Sequence, residues 1–208
     1  LLKVSDIKFN LSAGHSIIFN KQKLKSEEYK IKIKKDSISI DYSDYGGKFY
    51  SIITLIQLIN FYNTNLPLGI IEDRPSLNWR GMHLDCARQY YTIDEIKRLM
   101  NYMCFFKLNR FHWHLTDNEA WRVELDCYPN LTKVGSFRGY DHTIPPFYGT
   151  GYNKTGGYYS RSQIKELIEY ARQRNIEIMP EIDLPAHSWT LLQVMPELKD
   201  SSSNTISE

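Results

Sequence analysis

The chain has 208 residues, a formal net charge of +2, 42% hydrophobic and 24% charged residues. That is enough for one or two globular domains of ordinary composition, and the near-neutral balance argues against a nucleic-acid footprint. No apolar run approaches the roughly 18–20 residues of a membrane-spanning helix, and Cys86, Cys104 and Cys127 make neither a disulfide framework nor a metal knuckle.

Leu1 stands where a Met would begin a complete chain, so the sequence reads as trimmed or incomplete and the missing signal peptide is uninformative. Residues 1–70 read as a small α+β domain. Glu28 to Ile33 alternates polar and apolar residues, Lys34-Lys35-Asp36 supplies a turn, and Ser37 to Tyr42 alternates again, so the two segments predict a hairpin. Lys30, Lys32 and Lys34 read as its solvated face, where lysines also discourage edge pairing. A helix follows near Gly47 to Phe61, with Phe49, Ile52, Ile53, Ile56 and Ile59 on one stripe to cover the hairpin. Residues 63–78, with Pro67, Gly69 and Pro75, read as an interdomain linker.

Residues 71–208 read as a second domain, its strands alternating with helices. Arg80-Gly81-Met82-His83-Leu84-Asp85-Cys86-Ala87-Arg88 is a short strand ending in Asp85 and then Arg88. Thr92-Ile93-Asp94-Glu95 is a capping box that opens a helix carrying Ile96, Leu99, Met100 and Met103. The next strand, Arg110 to Thr116, runs into a turn of Asp117, Asn118 and Glu119 and then Trp121. Tyr128 to Gly157 is a long Gly-, Pro- and Tyr-rich loop, expected to fold over the mouth or pack on its rim. Ser160 and Gln163 form a second box before Ile164, Leu167, Ile168 and Ala171, and the third strand, residues 176–188, ends in Glu181 and Asp183, then Pro185 and His187. Strand, helix, strand, helix, strand predicts parallel βαβ units with the site beyond the carboxyl ends of the strands. Arg88, Asp117 and His187 should therefore meet at one mouth.

Each of these groups admits two readings. Arg88 can fork onto adjacent sugar hydroxyls or pair with Asp85 or another rim acid. Asp117 and His187 form either a satisfied core pair or a carboxylate that fixes an imidazole's tautomer. A carboxylate followed by an indole suits a sugar cleft, with Trp121 stacking on a pyranose face. Glu181 and Asp183 share a strand face and are expected as supporting acids behind the site. His112-x-His114 is a metal-ligand spacing, which leaves a metal-dependent hydrolase as a rival reading. Asn10, Asn130 and Asn153 head N-x-S/T triplets, meaningful only in a secretory pathway.

Three segments together carry a family resemblance: Arg80 to Arg88, Lys107-Leu108-Asn109-Arg110-Phe111-His112-Trp113-His114-Leu115-Thr116-Asp117, and Pro180-Glu181-Ile182-Asp183-Leu184-Pro185-Ala186-His187. They resemble the family 20 glycoside hydrolases, the β-N-acetylhexosaminidases, and residues before 70 resemble that family's small α+β domain. The resemblance implies an α/β fold in which this small domain precedes the first part, about three βα units, of a (β/α)8 TIM barrel. Such a barrel takes roughly 250 residues; Trp79 to Glu208 is about half of that, so either the chain is the N-terminal part of a longer enzyme or the remainder comes from another chain.

The resemblance implies retaining, substrate-assisted removal of terminal β-linked N-acetylhexosamine (GlcNAc or GalNAc), in which the substrate's acetamido oxygen attacks the anomeric carbon. Arg88 would hold the outer hydroxyls of the terminal sugar, and Asp117 with His187 would relay to the catalytic glutamic acid. Asp85, Glu181, Asp183 and Trp121 would support them. No metal and no cofactor is implied, and the partner is an N-acetylhexosamine-terminated oligosaccharide or glycoconjugate. The full-length enzyme admits a homodimer and would be secreted or lysosomal. Two departures stand out. Asn118 occupies the place of the family's usual second Asp, and the adjacent Asp-Glu pair that follows a glycine in the family does not occur in this sequence. Without that acid, a non-catalytic glycan-binding protein is a further rival.

Overall fold

The computed structural model describes residues 16–63, 65–147 and 151–200. Asn10, Tyr148 and most of the polar tail fall outside these residues. The chain divides into two compact units. One holds the described residues up to Arg80 together with Arg98–Asn109 and Arg172–Ile176; the other holds Gly81–Lys97, Arg110–Ala171 and the described residues from Glu177.

The first unit is built on a four-stranded sheet in the order β1-β3-β2-β4. The expected hairpin is β2 (Tyr29–Ile33) and β3 (Ser37–Tyr42), paired antiparallel, with the Lys34 N–H closing the turn onto the Ser37 carbonyl at 2.9 Å. Tyr29, Ile31, Ile33, Ile38 and Ile40 are buried, as the alternation requires. Helix α1 (Tyr45–Tyr62) covers this face with Phe49, Tyr50, Ile53, Leu55 and Ile56. Its N-cap is Asp44, whose side chain accepts from the Gly47 N–H at 2.9 Å and also from Ser26 Oγ and the Glu27 N–H. A Cβ on Gly47 would lie 2.6 Å from the Glu28 carbonyl oxygen, so only glycine lets the helix start this close to the sheet.

Two strands lie outside the sequence expectation. β1 (Ser16–Lys21) runs parallel to β3, and β4 (Gly69–Asp73) pairs antiparallel with β2. The segment read as a linker is therefore partly an edge strand. Its prolines flank the strand instead of interrupting it, and edge positions need no apolar alternation. Lys107 and Asn109 of the second motif also belong to this unit. Lys107 Nζ lies 2.6 Å from Asp73 Oδ2 and 2.7 Å from the Tyr29 hydroxyl, while Asn109 Nδ2 donates to the Asn78 carbonyl.

The second unit contains β5 (Gly81–Asp85), α2 (Ile93–Phe105, shared with the first unit), β6 (Arg110–His114), the short pair β7 (Thr116–Asp117) and β8 (Ala120–Trp121), and α3 (Asn130–Lys133). It continues with the short antiparallel pair β9 (Phe137–Arg138) and β10 (Thr155–Gly156), then α4 (Arg161–Arg172), β11 (Glu177–Glu181) and α5 (Trp189–Val194). β5, β6 and β11 form one parallel sheet with β6 in the middle, the arrangement expected of successive βα units. Both capping boxes are present. The Thr92 N–H donates to Glu95 Oε2 at 2.7 Å, and the Ser160 N–H donates to Gln163 Oε1 at 2.9 Å. Ile168 departs from the predicted buried stripe and is 52% exposed, whereas Leu167 and Ala171 are buried. Among the described residues no helix is long and apolar enough to cross a membrane.

Register divides the parallel sheet into two faces. Phe111 and Trp113 of the central strand are buried on one. On the other stand two rungs of neighbours: His83, His112 and Met179, then the all-polar Asp85, His114 and Glu181 at the carboxyl ends. Asp44→Ala should cost about 1 kcal/mol in urea unfolding, with Asp44→Asn close to the parent. An Ala variant as stable as the parent would show that the cap does not hold α1.

Candidate active site

The upper rung sets the site. Past the strand ends, the Cys86 N–H donates to the His114 carbonyl at 2.9 Å and the Leu115 N–H to the Glu181 carbonyl at 3.1 Å. The ladder therefore continues one step beyond each strand, and the following loops leave in fixed register. Asp85 turns its loop back on itself, its Oδ1 accepting the N–H groups of Ala87 and Arg88 at 3.1 and 3.0 Å. This delivers the Arg88 guanidinium to three acids: Nη1 is 2.7 Å from Asp85 Oδ2, Nη2 2.6 Å from Asp117 Oδ2, and Nε 3.6 Å from Glu119 Oε2.

Asp117 is the centre of the cluster. Its side chain is 1% exposed. Oδ2 meets Arg88 and, at 3.0 Å, His114 Nε2; Oδ1 accepts the Asn118 N–H at 2.6 Å and lies 3.2 Å from His187 Nδ1. His187 has a positive φ of 52°, a conformation histidine adopts more readily than most residues, and its side chain is 51% exposed. Its loop is held where the Asp183 N–H donates to Thr116 Oγ1 at 2.9 Å. Arg88, Asp117 and His187 thus stand together, and both readings of Arg88 have a physical basis. It is ion-paired with rim acids, yet 38% of its side chain stays open to solvent.

Burial opposes charge on these groups, and their neighbours outweigh it. Burial pushes the Asp85 carboxyl up, but the Arg88 N–H, the guanidinium and His114 hold it below the usual carboxylate range. Glu181 is lowered against its burial by His114 and His112. Burial lowers His114, but Glu181 and Asp117 bring it above the ordinary imidazole value. Arg88 is raised against its burial by Asp85, Asp117 and Glu119.

Several supporting residues escaped the sequence reading. Arg122, 1% exposed, donates through Nε to the Cys86 carbonyl, through Nη2 to that of Ala87, and through Nη1 to those of Ser136 and Gly157. Burial pushes its pKa down to about 10. Four carbonyls from two loops are thereby tied together just before Arg88. Arg138 Nη2 donates to the Arg88 carbonyl at 2.7 Å, which places the long Tyr128–Gly157 loop on the rim. Asn118 anchors α5, its Oδ1 accepting the Trp189 N–H at 3.1 Å and its carbonyl accepting from Thr190 Oγ1 at 2.6 Å. Partners that are backbone carbonyls leave no mark in a sequence pattern. Trp121, expected against a sugar face, is 7% exposed with its indole N–H on the Val123 carbonyl. Packing takes up its ring, which leaves it a supporting position.

Three sets of donor atoms lie within 4.8 Å of one another: His83, His112 and Glu181; His114, Glu181 and Asp183; and Asp117, Asp183 and His187. In the first two sets Glu181 Oε2 lies 2.7 Å from His112 Nε2 and from His114 Nδ1. His114 is buried whereas His112 is exposed, so the H-x-H pair does not sit in one environment. The three thiols are free, Cys86 and Cys104 buried and Cys127 exposed. Asn130 and Asn153 are exposed.

The sequence matches the catalytic domain of glycosyl hydrolase family 20 over residues 77–208 and domain 2 of the same family over residues 3–74. It is 40% identical over 171 residues to a beta-hexosaminidase of Vibrio furnissii, covering 81% of this chain and 28% of that protein. It is 36% identical over 194 residues to an N,N'-diacetylchitobiase of Vibrio harveyi, covering 88% of this chain and 22% of that one. The fold resembles the crystal structure of a GH20 exo beta-N-acetylglucosaminidase from Vibrio harveyi in complex with N-acetylglucosamine, with a TM-score of 0.85 and 38% identity over 91% of this chain and 30% of that chain. The chain therefore spans less than a third of the length of these relatives.

Two tests follow from the geometry. Arg122→Lys places one ammonium where four carbonyls need a fork, and should destabilise by about 2–4 kcal/mol in denaturant unfolding; a loss under about 0.5 kcal/mol, the range of a neutral surface change, would contradict this role. The second concerns pH. The depressed Asp85 and Glu181 contribute stability that is complete above their unfolded values, about 4, and lost as pH falls through the folded ones. The raised His114 contributes below its unfolded value, about 6.5, and its contribution is lost as pH rises through the folded one. Amide protection at Ala87 and Arg88 should fall off as the solution is acidified below about pH 4; protection constant down to pH 2 would contradict it.

Proposed function

The chain belongs to glycosyl hydrolase family 20, and from that we propose that its strand ends form the sugar-holding half of an active site for releasing terminal β-linked N-acetylhexosamine. The observation that carries this reading is the convergence of Arg88 and His187 on the two oxygens of buried Asp117. A guanidinium locked by acids on one side and open to solvent on the other offers a rigid donor fork to adjacent hydroxyls. His187, with Nδ1 engaged by Asp117, keeps Nε2 for a further group. In the proposed reaction that group is a glutamic acid, which protonates the leaving oxygen and then activates water. The substrate's own acetamido oxygen acts as nucleophile, so no second enzyme carboxylate attacks the sugar. Residues 1–208 contain no Gly-Asp-Glu, so the acid and the aspartate that orients the acetamido group come from residues other than these.

Asp117 holds the imidazole in one tautomer and stabilises it when protonated, so the acid it faces can cycle between donor and base. The supporting acids Asp85, Glu181 and Asp183 keep the cations in place and do not touch the sugar. We assign the substrate to N-acetylhexosamine-terminated glycans or glycoconjugates. Placement outside the cytosol is consistent with exposed acceptor triplets at Asn130 and Asn153.

The test is hydrolysis of an aryl N-acetyl-β-glucosaminide by the complete protein carrying these residues. Arg88→Lys should lose about 2–4 kcal/mol of transition-state stabilisation although its charge is kept. His187→Ala should lower kcat more than it raises KM, and Asp117→Asn should lower kcat and shift the pH–rate profile. The double variant should be little worse than the worse single, because members of one unit are not additive. Fully additive losses with an unshifted profile would show that the two act separately; absence of turnover by the parent would sink the assignment.

A further inference from the structure

We propose that His114 is a positioning residue, held as an imidazolium between Glu181 and Asp117, that extends the pair at the mouth into a four-member chain, Glu181–His114–Asp117–His187. Its catalytic consequence rests on the function proposed above; its protonation state does not. His114 Nδ1 lies 2.7 Å from Glu181 Oε2 and Nε2 lies 3.0 Å from Asp117 Oδ2. A neutral imidazole has one N–H and one lone pair. Either tautomer would leave an unprotonated nitrogen within 3.0 Å of a carboxylate oxygen and no net charge to offset the two acids, an unfavourable arrangement. The doubly protonated ring instead hydrogen-bonds Asp117 Oδ2 through Nε2 and sets its positive charge 2.7 Å from Glu181 Oε2. The side chain is 6% exposed, so water is not available to relieve a mismatch.

The charges around the ring point the same way. Asp85 Oδ1 is 4.0 Å from Nε2 across the rung, adding a third carboxylate from β5, and an Asp183 oxygen lies within 4.8 Å of a ring nitrogen. From β11 comes Glu181, shared with His112 Nε2 at 2.7 Å on the ring's own strand. The His83 ring centroid is 5.8 Å away, and Arg88 stands beyond Asp117. Arg88 alone would leave Asp85, Asp117 and Glu181 with too little positive charge for their burial. The raised pKa of His114 agrees with this balance.

The consequence is a division of labour between the two oxygens of Asp117. Oδ2 is taken by two cations, Arg88 and His114, on two different strand ends. Oδ1 is left for the Asn118 N–H and His187 Nδ1. Two fixed donors on Oδ2 stop the carboxylate from rotating about its Cβ–Cγ bond, and so aim Oδ1 at His187. Glu181 sits farther from the mouth than Asp117, yet it supports the imidazolium that does the aiming.

The first measurement is ¹⁵N-detected NMR of histidine-labelled complete protein, with the His114 signals assigned by their absence from a His114→Gln variant. Both ring nitrogens should carry protons at pH 7 and above, past the ordinary midpoint of about 6.5. A single neutral tautomer at pH 7 would overturn the proposal, whatever the enzyme's substrate. The second is kinetic. Glu181→Gln keeps the shape and removes the charge. It should lower the His114 midpoint, reduce kcat at least tenfold with KM within twofold, and move the alkaline limb of the pH–rate profile to lower pH. Glu181→Asp should restore part of each, and carries the same comparison if the Gln variant does not fold. An unchanged kcat with an unshifted limb would overturn the positioning role. A parent protein without hexosaminidase turnover would remove the proposed function while leaving the NMR result to decide the imidazolium.

Discussion

A carboxylate taken out of water loses several kcal/mol of hydration unless charges and hydrogen bonds replace it. Asp117, with 1% of its side chain exposed, meets that requirement with donors from three strand ends. Arg88 comes from the loop after β5, His114 and the Asn118 N–H from the region of β6, and His187 from the loop after β11. Each partner is needed to keep the charge buried, and each is thereby placed. The same constraint that stabilises the sheet's upper edge assembles the candidate site, which is why removing a single member should be felt at all the others.

Behind this edge the loops are fixed by a different device. Arg122 is a buried cation whose hydrogen-bond partners are four backbone carbonyls. It ties the segment leading into Arg88 to the long rim loop, and Arg138 adds a second tie at the Arg88 carbonyl itself. Close packing makes that junction unforgiving. A Cβ on Gly156 would come within 2.1 Å of the Ser136 carbonyl oxygen, at a φ of 132° that favours glycine. These ties hold the backbone that carries Arg88, as the proposed sugar-holding fork requires.

The sequence exposed those features whose physics is local or periodic. The period-two alternation of Tyr29–Ile33 and Ser37–Tyr42, the boxes at Thr92–Glu95 and Ser160–Gln163, and the acids and bases placed just past three apolar strands were all legible. β4 was not, because an edge strand between prolines carries no alternation that distinguishes it from a linker. The roles of Arg122 and Asn118 were not, because their partners are main-chain groups. Trp121 misled because an indole after an acid has the same sequence appearance whether its faces are open or packed. His112 and His114 share a strand face, yet only the structure separates the exposed one from the one enclosed by carboxylates.

The proposed role of buried Asp117 is to join a sugar-holding guanidinium to a proton-relaying imidazole. It is tested most directly by a crystal structure of the complete protein with N-acetylglucosamine bound. The account predicts the Arg88 guanidinium within hydrogen-bond distance of the sugar's hydroxyls while still paired to Asp117 Oδ2, and His187 Nδ1 still on Asp117 Oδ1. A sugar bound away from Arg88, or an Asp117 carboxylate turned away from His187, would contradict it.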